Sequence, residues 1–146
     1  MSTPDNSKFV AKVEHFVEIS EARMVAVQQE ATKRTIEIAQ RPVAKGGRMR
    51  VDTGFLRNSG QASLTGMPSG PSRPTNDVQH YDDGSEVSSN TLVTIAQMKL
   101  GGTIWFGWRA FYARYREAKD AFLRMAVQRW PQTVAEVVEE LKRRIK

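Results

Sequence analysis

The sequence predicts a single α+β domain: a long N-terminal helix, a small antiparallel sheet with an aromatic hairpin, and a C-terminal helix kinked or broken near Pro131. Three observations predict it. Residues 8–40 contain no Gly or Pro and place apolar side chains at helical spacing. Residues 91–116 hold two β-prone runs around Gly101-Gly102. Residues 119–145 carry a second apolar stripe, which Pro131 interrupts.

The first helix is justified by Phe9, Val13, Phe16, Val17, Met24, Val27, Ala31 and Ile38 on one side, with Lys12, Glu14, Glu18, Glu21, Arg23, Gln28 and Lys33 on the other. Asp5, Asn6 or Ser7 is placed to cap it. Pro42 disfavours helical geometry at Arg41 and ends it. At 1.5 Å per residue the helix is about 48 Å long. That exceeds the core of so small a domain, so one end is expected to project and to need a partner.

Residues 42–54 form a basic loop with Lys45, Gly46, Gly47, Arg48 and Arg50. It lacks the Gly-Lys-Ser/Thr ending of a phosphate-binding loop. Asp52 or Thr53 is placed to cap a single turn containing Phe55, Leu56 and Arg57, and residues 59–65 alternate as a weak strand. Residues 67–90 are rich in Pro, Gly and Ser and poor in apolar side chains, which predicts a flexible loop. Leu92–Gln97 and Thr103–Trp108 then read as the two arms of a hairpin turning at residues 99–102. Strand neighbours point to opposite faces, so Trp105 and Phe106 are expected on different sides, one packed on the long helix. In the last helix Phe122, Ala126, Trp130, Val134, Val137, Val138, Leu141 and Ile145 form the stripe, and Lys142, Arg143, Arg144 and Lys146 sit at its negative end.

Composition narrows the chemistry. The chain has 146 residues, no cysteine and a formal net charge of +6. Disulfides, thiolate metal sites and a cysteine nucleophile are excluded. Its two histidines, His15 and His80, have no metal-ligand spacing. Asp82, Asp83 and Glu86 do not match a calcium loop. Ser59, Ser63 and His80 do not match a nucleophile elbow or triad. No apolar run approaches the roughly 20 residues of a membrane span, and residues 1–7 carry no signal-peptide pattern. The expectation is a protein made in the cytoplasm, not an enzyme, with no cofactor. Basic charge and Arg109, Arg114 and Arg116 interleaved with Trp108, Phe111, Tyr112 and Tyr115 leave one alternative open, a small basic nucleic-acid-binding protein.

Two short motifs about fifty residues apart stand out. The first is Asp52-Thr53-Gly54-Phe55-Leu56-Arg57-Asn58-Ser59. The second is Phe111-Tyr112-Ala113-Arg114-Tyr115-Arg116-Glu117, followed by Phe122, Leu123 and Ala126. In this order they resemble the tail-component family of long-tailed siphophages, the tail-completion, neck or head–tail connector proteins. That pattern has a long first helix, Thr-Gly-x-Leu-Arg-x-Ser, a β-rich middle, Tyr-Ala-x-Tyr-x-Glu and a Phe-Leu-x-x-Ala helix. The matching residues are Thr53, Gly54, Leu56, Arg57 and Ser59, then Tyr112, Ala113, Tyr115 and Glu117, then Phe122, Leu123 and Ala126. The family usually has a glycine soon after the glutamate, where this chain has Ala118-Lys119-Asp120-Ala121.

The resemblance implies a virion protein at the head–tail junction, assembled in the host cytoplasm. It implies a ring of identical copies, often six, around the channel through which DNA leaves without sequence-specific contact. Its other partners would be tail-terminator or tail-tube proteins on one side and head connector or stopper proteins on the other. A ring needs two different patches on each subunit. The candidates are the segment around Asp52, Thr53, Gly54, Phe55, Leu56, Arg57 and Ser59, and an expected strand running from Trp105 through Trp108 and Tyr112 to Tyr115, with Glu117 beyond it.

Overall fold

The computed structural model describes residues 7–52, 54–71 and 86–144. Helix α1 spans Ser7–Gln40, 34 residues or about 51 Å. The chain then folds back through a short 3-10 turn, Val43–Lys45, to a bridge between Pro42 and Met49. The Val43 N–H donates to the Met49 carbonyl at 3.0 Å and buries Met49 completely. Gly47 is required here: a Cβ would lie 1.9 Å from the Arg41 carbonyl oxygen.

Helix α2, Phe55–Asn58, is followed directly by strand β1, Gly60–Ser63. Helix α3 is Ser89–Ala96, strand β2 is Trp105–Trp108, and helices α4, α5 and α6 are Ala113–Asp120, Phe122–Gln128 and Trp130–Arg144. The α+β class, the long first helix and the small antiparallel sheet are as the sequence predicts.

The pairing within the sheet is different. Strand β2 pairs with β1, from Gly60 opposite Trp108 to Ser63 opposite Trp105, not with residues 91–97. Those residues lie in α3, so the expected hairpin over 91–116 is not formed. Ser88 explains the change. Its backbone is extended, and its hydroxyl accepts the Thr91 N–H at 3.1 Å, a helix N-cap. Thr91 and Ile95, four residues apart, then bury one face. A β-branched run thus becomes a helix because its start is capped and its buried positions repeat every turn. The weak strand expected at 59–65 supplies the real partner. Of the expected loop, residues 72–85 lie outside those described, and residues 89–90 are already helical.

The aromatic strand also ends earlier than expected. After Trp108 the chain turns, and Tyr115 and Glu117 lie on α4. The C-terminal helical region therefore begins at Ala113 and not near residue 119. Its break falls between α5 and α6. Pro131 is the second residue of α6, where its missing N–H removes no intrahelical bond.

Two clusters form the interior. Met49, Phe55, Leu56, Ala110 and Phe122 make one, with Trp108 and Tyr112 against it. Ile36, Ile95 and Met98 make the other, with Leu64, Ile104 and Phe106. Full burial of a side chain of this size contributes roughly 1.5–3 kcal/mol. Helix α1 is the floor of both layers, with α3, α5 and α6 packed along it. Helix α6 returns along it: Trp130 shares a cavity wall with Thr35 and Ile36, and Leu141 and Arg144 share one with Ala26. Arg34 clamps the two helices, donating to Glu140 at 3.1 and 2.5 Å and to Glu30 at 3.0 Å. The Glu140 hydrogen bond is the main force raising the Arg34 pKa and lowering that of Glu140.

Candidate docking surfaces

The two motifs meet in space. Gly54 occupies the cap position before α2 with φ 86°, a left-handed conformation that costs a residue with a Cβ about 1–2 kcal/mol. Gly54, and not Asp52, is thus the cap residue; Thr53 lies outside the described residues. The turn drives Phe55, Leu56 and Arg57 inward, at 8, 3 and 6% exposure. These three were expected on a subunit-facing patch, and the structure corrects that: they are interior residues of one chain. Of the described motif residues Asp52 and Asn58 are on the surface, with Ser59 half-buried. The Ser59 hydroxyl donates to the Leu56 carbonyl at 2.6 Å, and the Ser59 carbonyl accepts the Arg109 N–H at 3.1 Å. That last bond ties the first motif to the end of β2.

On the second motif, Tyr112 lies against Phe55, ring centroids 6.2 Å apart. Burial raises the Tyr112 pKa, partly offset by a backbone hydrogen bond at Leu56. The cleft between the motifs, about 250 Å³, is lined by Arg50, Asp52, Gly54, Tyr112 and Arg116 among others. Its arginines are engaged: Arg116 holds Asp120 at 2.7–3.0 Å, and Arg50 lies 3.8 Å from the same carboxylate. Glu117 has a local task. Its carboxylate accepts the Leu123 N–H at 2.7 Å and the Arg124 N–H at 3.4 Å, capping α5 across a break. Ala121 makes that break, with φ 55°. This is the region where the resembling pattern carries glycine, and the chain turns there without one.

Trp105 and Trp108 are both half-buried, and they do different things. Trp108 faces the interior, edge-on to Phe122 at 4.9 Å and to Phe106 at 5.1 Å. Its indole N–H donates to Gln40 Oε1 at 2.8 Å. Gln40, 4% exposed, also donates to the Glu86 carbonyl at 2.7 Å. Gln40 joins the end of α1 to the sheet and to the chain before α3, and nothing in the sequence pattern distinguishes it from a surface glutamine. Strand alternation puts Trp105, three residues earlier, on the other side from Trp108.

Near the second motif the exposed aromatics are Phe111 and Tyr115, at 47 and 59%. Arg116 and Lys119 lie 5.9 and 5.6 Å from the Tyr115 ring, within cation–π reach. A second exposed apolar region lies on α1 itself: Phe9 is 68% exposed and Met24 56%, with Val10 and Val13 also open. Beside Met24, α1 floors a groove of about 450 Å³ walled by Trp130, Val134 and Val138 of α6 and by Leu100. Sequence reasoning named both stripes and missed that they leave a groove where they diverge.

Among the described residues no group of three or more His, Cys, Asp or Glu side chains is placed to hold a metal ion. None of the described helices is long and apolar enough to cross a membrane. His80, Asp82 and Asp83 lie outside the described residues. The chain matches no family model, no curated protein and no solved structure.

Proposed function

We propose that the chain is a structural protein of the head–tail junction of a long-tailed bacteriophage, a tail-completion or neck protein. Copies of it close into a ring around the DNA channel and present one side to the tail and the other to the head connector. Its work is mechanical, with no turnover and no cofactor.

One observation carries the reading. The two motifs that bear the resemblance pack together through Phe55 against Tyr112, with the Arg109 N–H, just ahead of the second motif, on the Ser59 carbonyl. Their inward residues, Phe55, Leu56 and Arg57, hold that unit together, and Asp52, Phe111 and Tyr115 face outward from it. The outward residues are the candidates for contact with a neighbour. In a phage that carries the gene, its loss is expected to yield DNA-filled heads and finished tails that do not join. Supplying the protein in trans restores plaques, and supplying Tyr115→Asp does not. Normal infectious yield without the gene would overturn the reading.

A second reading, binding to a nucleic-acid strand, is favoured by the Tyr115 ring with Arg116 and Lys119 beside it on a chain of net charge +6. It requires affinity for single strands that falls steeply with salt and drops on Tyr115→Ala. A neck protein shows weak, purely electrostatic binding or none.

A further inference from the structure

None of the eight residues of α4 is buried. Its direction is fixed at the junction with α5. Ala121 stands there with φ 55° and ψ 37°, buried at 9% exposure. A residue with a Cβ is disfavoured in that left-handed conformation, and glycine is the usual occupant of the position after a helix. Nothing else at the junction breaks a helix. Residues 113–128 contain no Gly or Pro and are mostly strong helix formers, with four Ala, three Arg and single Glu, Lys, Leu and Met residues.

Side chains hold the break instead. The Glu117 carboxylate accepts the Leu123 and Arg124 N–H groups, which the start of α5 leaves without intrahelical partners. Arg50 reaches Asp120 from the 42–54 loop at 3.8 Å, but it is largely exposed, and such a pair contributes little. Tyr112, half-buried, lies on Phe55.

An unbroken helix satisfies the same groups. With Ala121 in the right-handed region, the Leu123 N–H meets the Lys119 carbonyl and the Arg124 N–H meets that of Asp120. Arg116 and Asp120, four residues apart, keep their ion pair. Residues 109–112, which join β2 to α4, span about 13 Å when drawn out. That is close to the length of α4, about 12 Å.

We propose that α4 is a switch arm. In one state Ala121 is left-handed, Glu117 caps α5, and the second motif lies against the first. In the other, α4 and α5 form one helix over residues 113–128, Tyr112 has left Phe55, and the cleft between the motifs is open. The switch belongs to the single chain and does not depend on the head–tail role.

The chain has no cysteine, so Arg114→Cys with Gln128→Cys, both at exposed positions, gives a protein spin-labelled at two sites only. Pulsed electron spin resonance reads their separation. In the continuous helix the two backbones are about 21 Å apart, and any bend shortens that. The doubly labelled chain is expected to show the shorter distance with a minor population at the longer one. Adding Ala121→Gly relieves the left-handed residue; it is expected to leave the shorter distance alone and to raise the thermal midpoint by roughly 2–4 °C. Adding Glu117→Ala removes the cap and is expected to make the longer distance dominant. Glu117→Gln keeps one acceptor oxygen and is expected to fall between. One unchanged distance in every variant, or Ala121→Gly without a rise in midpoint, would overturn the inference.

Discussion

The two halves of α1 have the same amphipathic pattern and different chemistry. The covered half buries Ala31, Thr32, Ile36, Ala39 and Gln40, mostly small side chains. The overhang, residues 7–22 beyond the last described turn of α6, carries Phe9, Val10 and Val13, which stay open to solvent. Small residues let a neighbouring helix approach to about 8–10 Å between axes. A helical stripe therefore says which face is apolar, and the reach of α6 decides how much of that face the chain covers itself.

The largest expected effect falls on the covered side. Phe122 is 1% exposed and edge-on to Trp108 beneath α1, and Phe122→Ala is expected to cost about 3–5 kcal/mol in urea unfolding. A cost under 1 kcal/mol would mean that α1 and the sheet are not clamped through this ring. Next comes Gln40→Ala, which strips the Trp108 indole N–H and the Glu86 carbonyl of a buried partner, at about 1–3 kcal/mol. Trp108 fluorescence is expected to shift with it.

A smaller effect is pH-dependent. The hydrogen bond from Arg34 lowers the Glu140 pKa in the folded chain below its ordinary 4.5. The unfolded chain therefore binds that proton more readily. The contribution is complete above about pH 4.5 and is lost as pH falls through the folded value. Glu140→Gln is expected to flatten this part of the acid limb in thermal unfolding; an unchanged limb would show that the clamp between α1 and α6 is inert. Smallest is Val13→Ala in the overhang, within about 0.5 kcal/mol for the monomer. A cost like that of Phe122→Ala would erase the distinction between the halves.

Sequence reasoning reached the elements that local signals specify. It found α1 from an unbroken helical period, its end from Pro42, and the break near Pro131. It failed where distance decides. Leu92–Gln97 are good strand formers, and the Ser88 cap with Thr91 and Ile95 one turn apart outweighs that preference. Strand β2 found its partner 48 residues upstream at the register of Gly60 and Trp108, a pairing no local window contains. The motif from Asp52 to Ser59 was legible as a unit and misread in direction. A one-turn helix has no period from which burial can be read, and Gly54 turns Phe55, Leu56 and Arg57 inward through its backbone alone.

The clamp between α1 and α6 also sets a timetable. Arg34 waits for a carboxylate 106 positions later, and Gln40 for an indole 68 positions later. At ribosomal speeds of about 5–20 residues per second, that is a delay of roughly 5–20 s during which the first helix has emerged bare. A nascent chain in that interval displays its entire greasy edge, so synthesis, more than the finished fold, is the stage at which the apolar side of this helix lies open along its length.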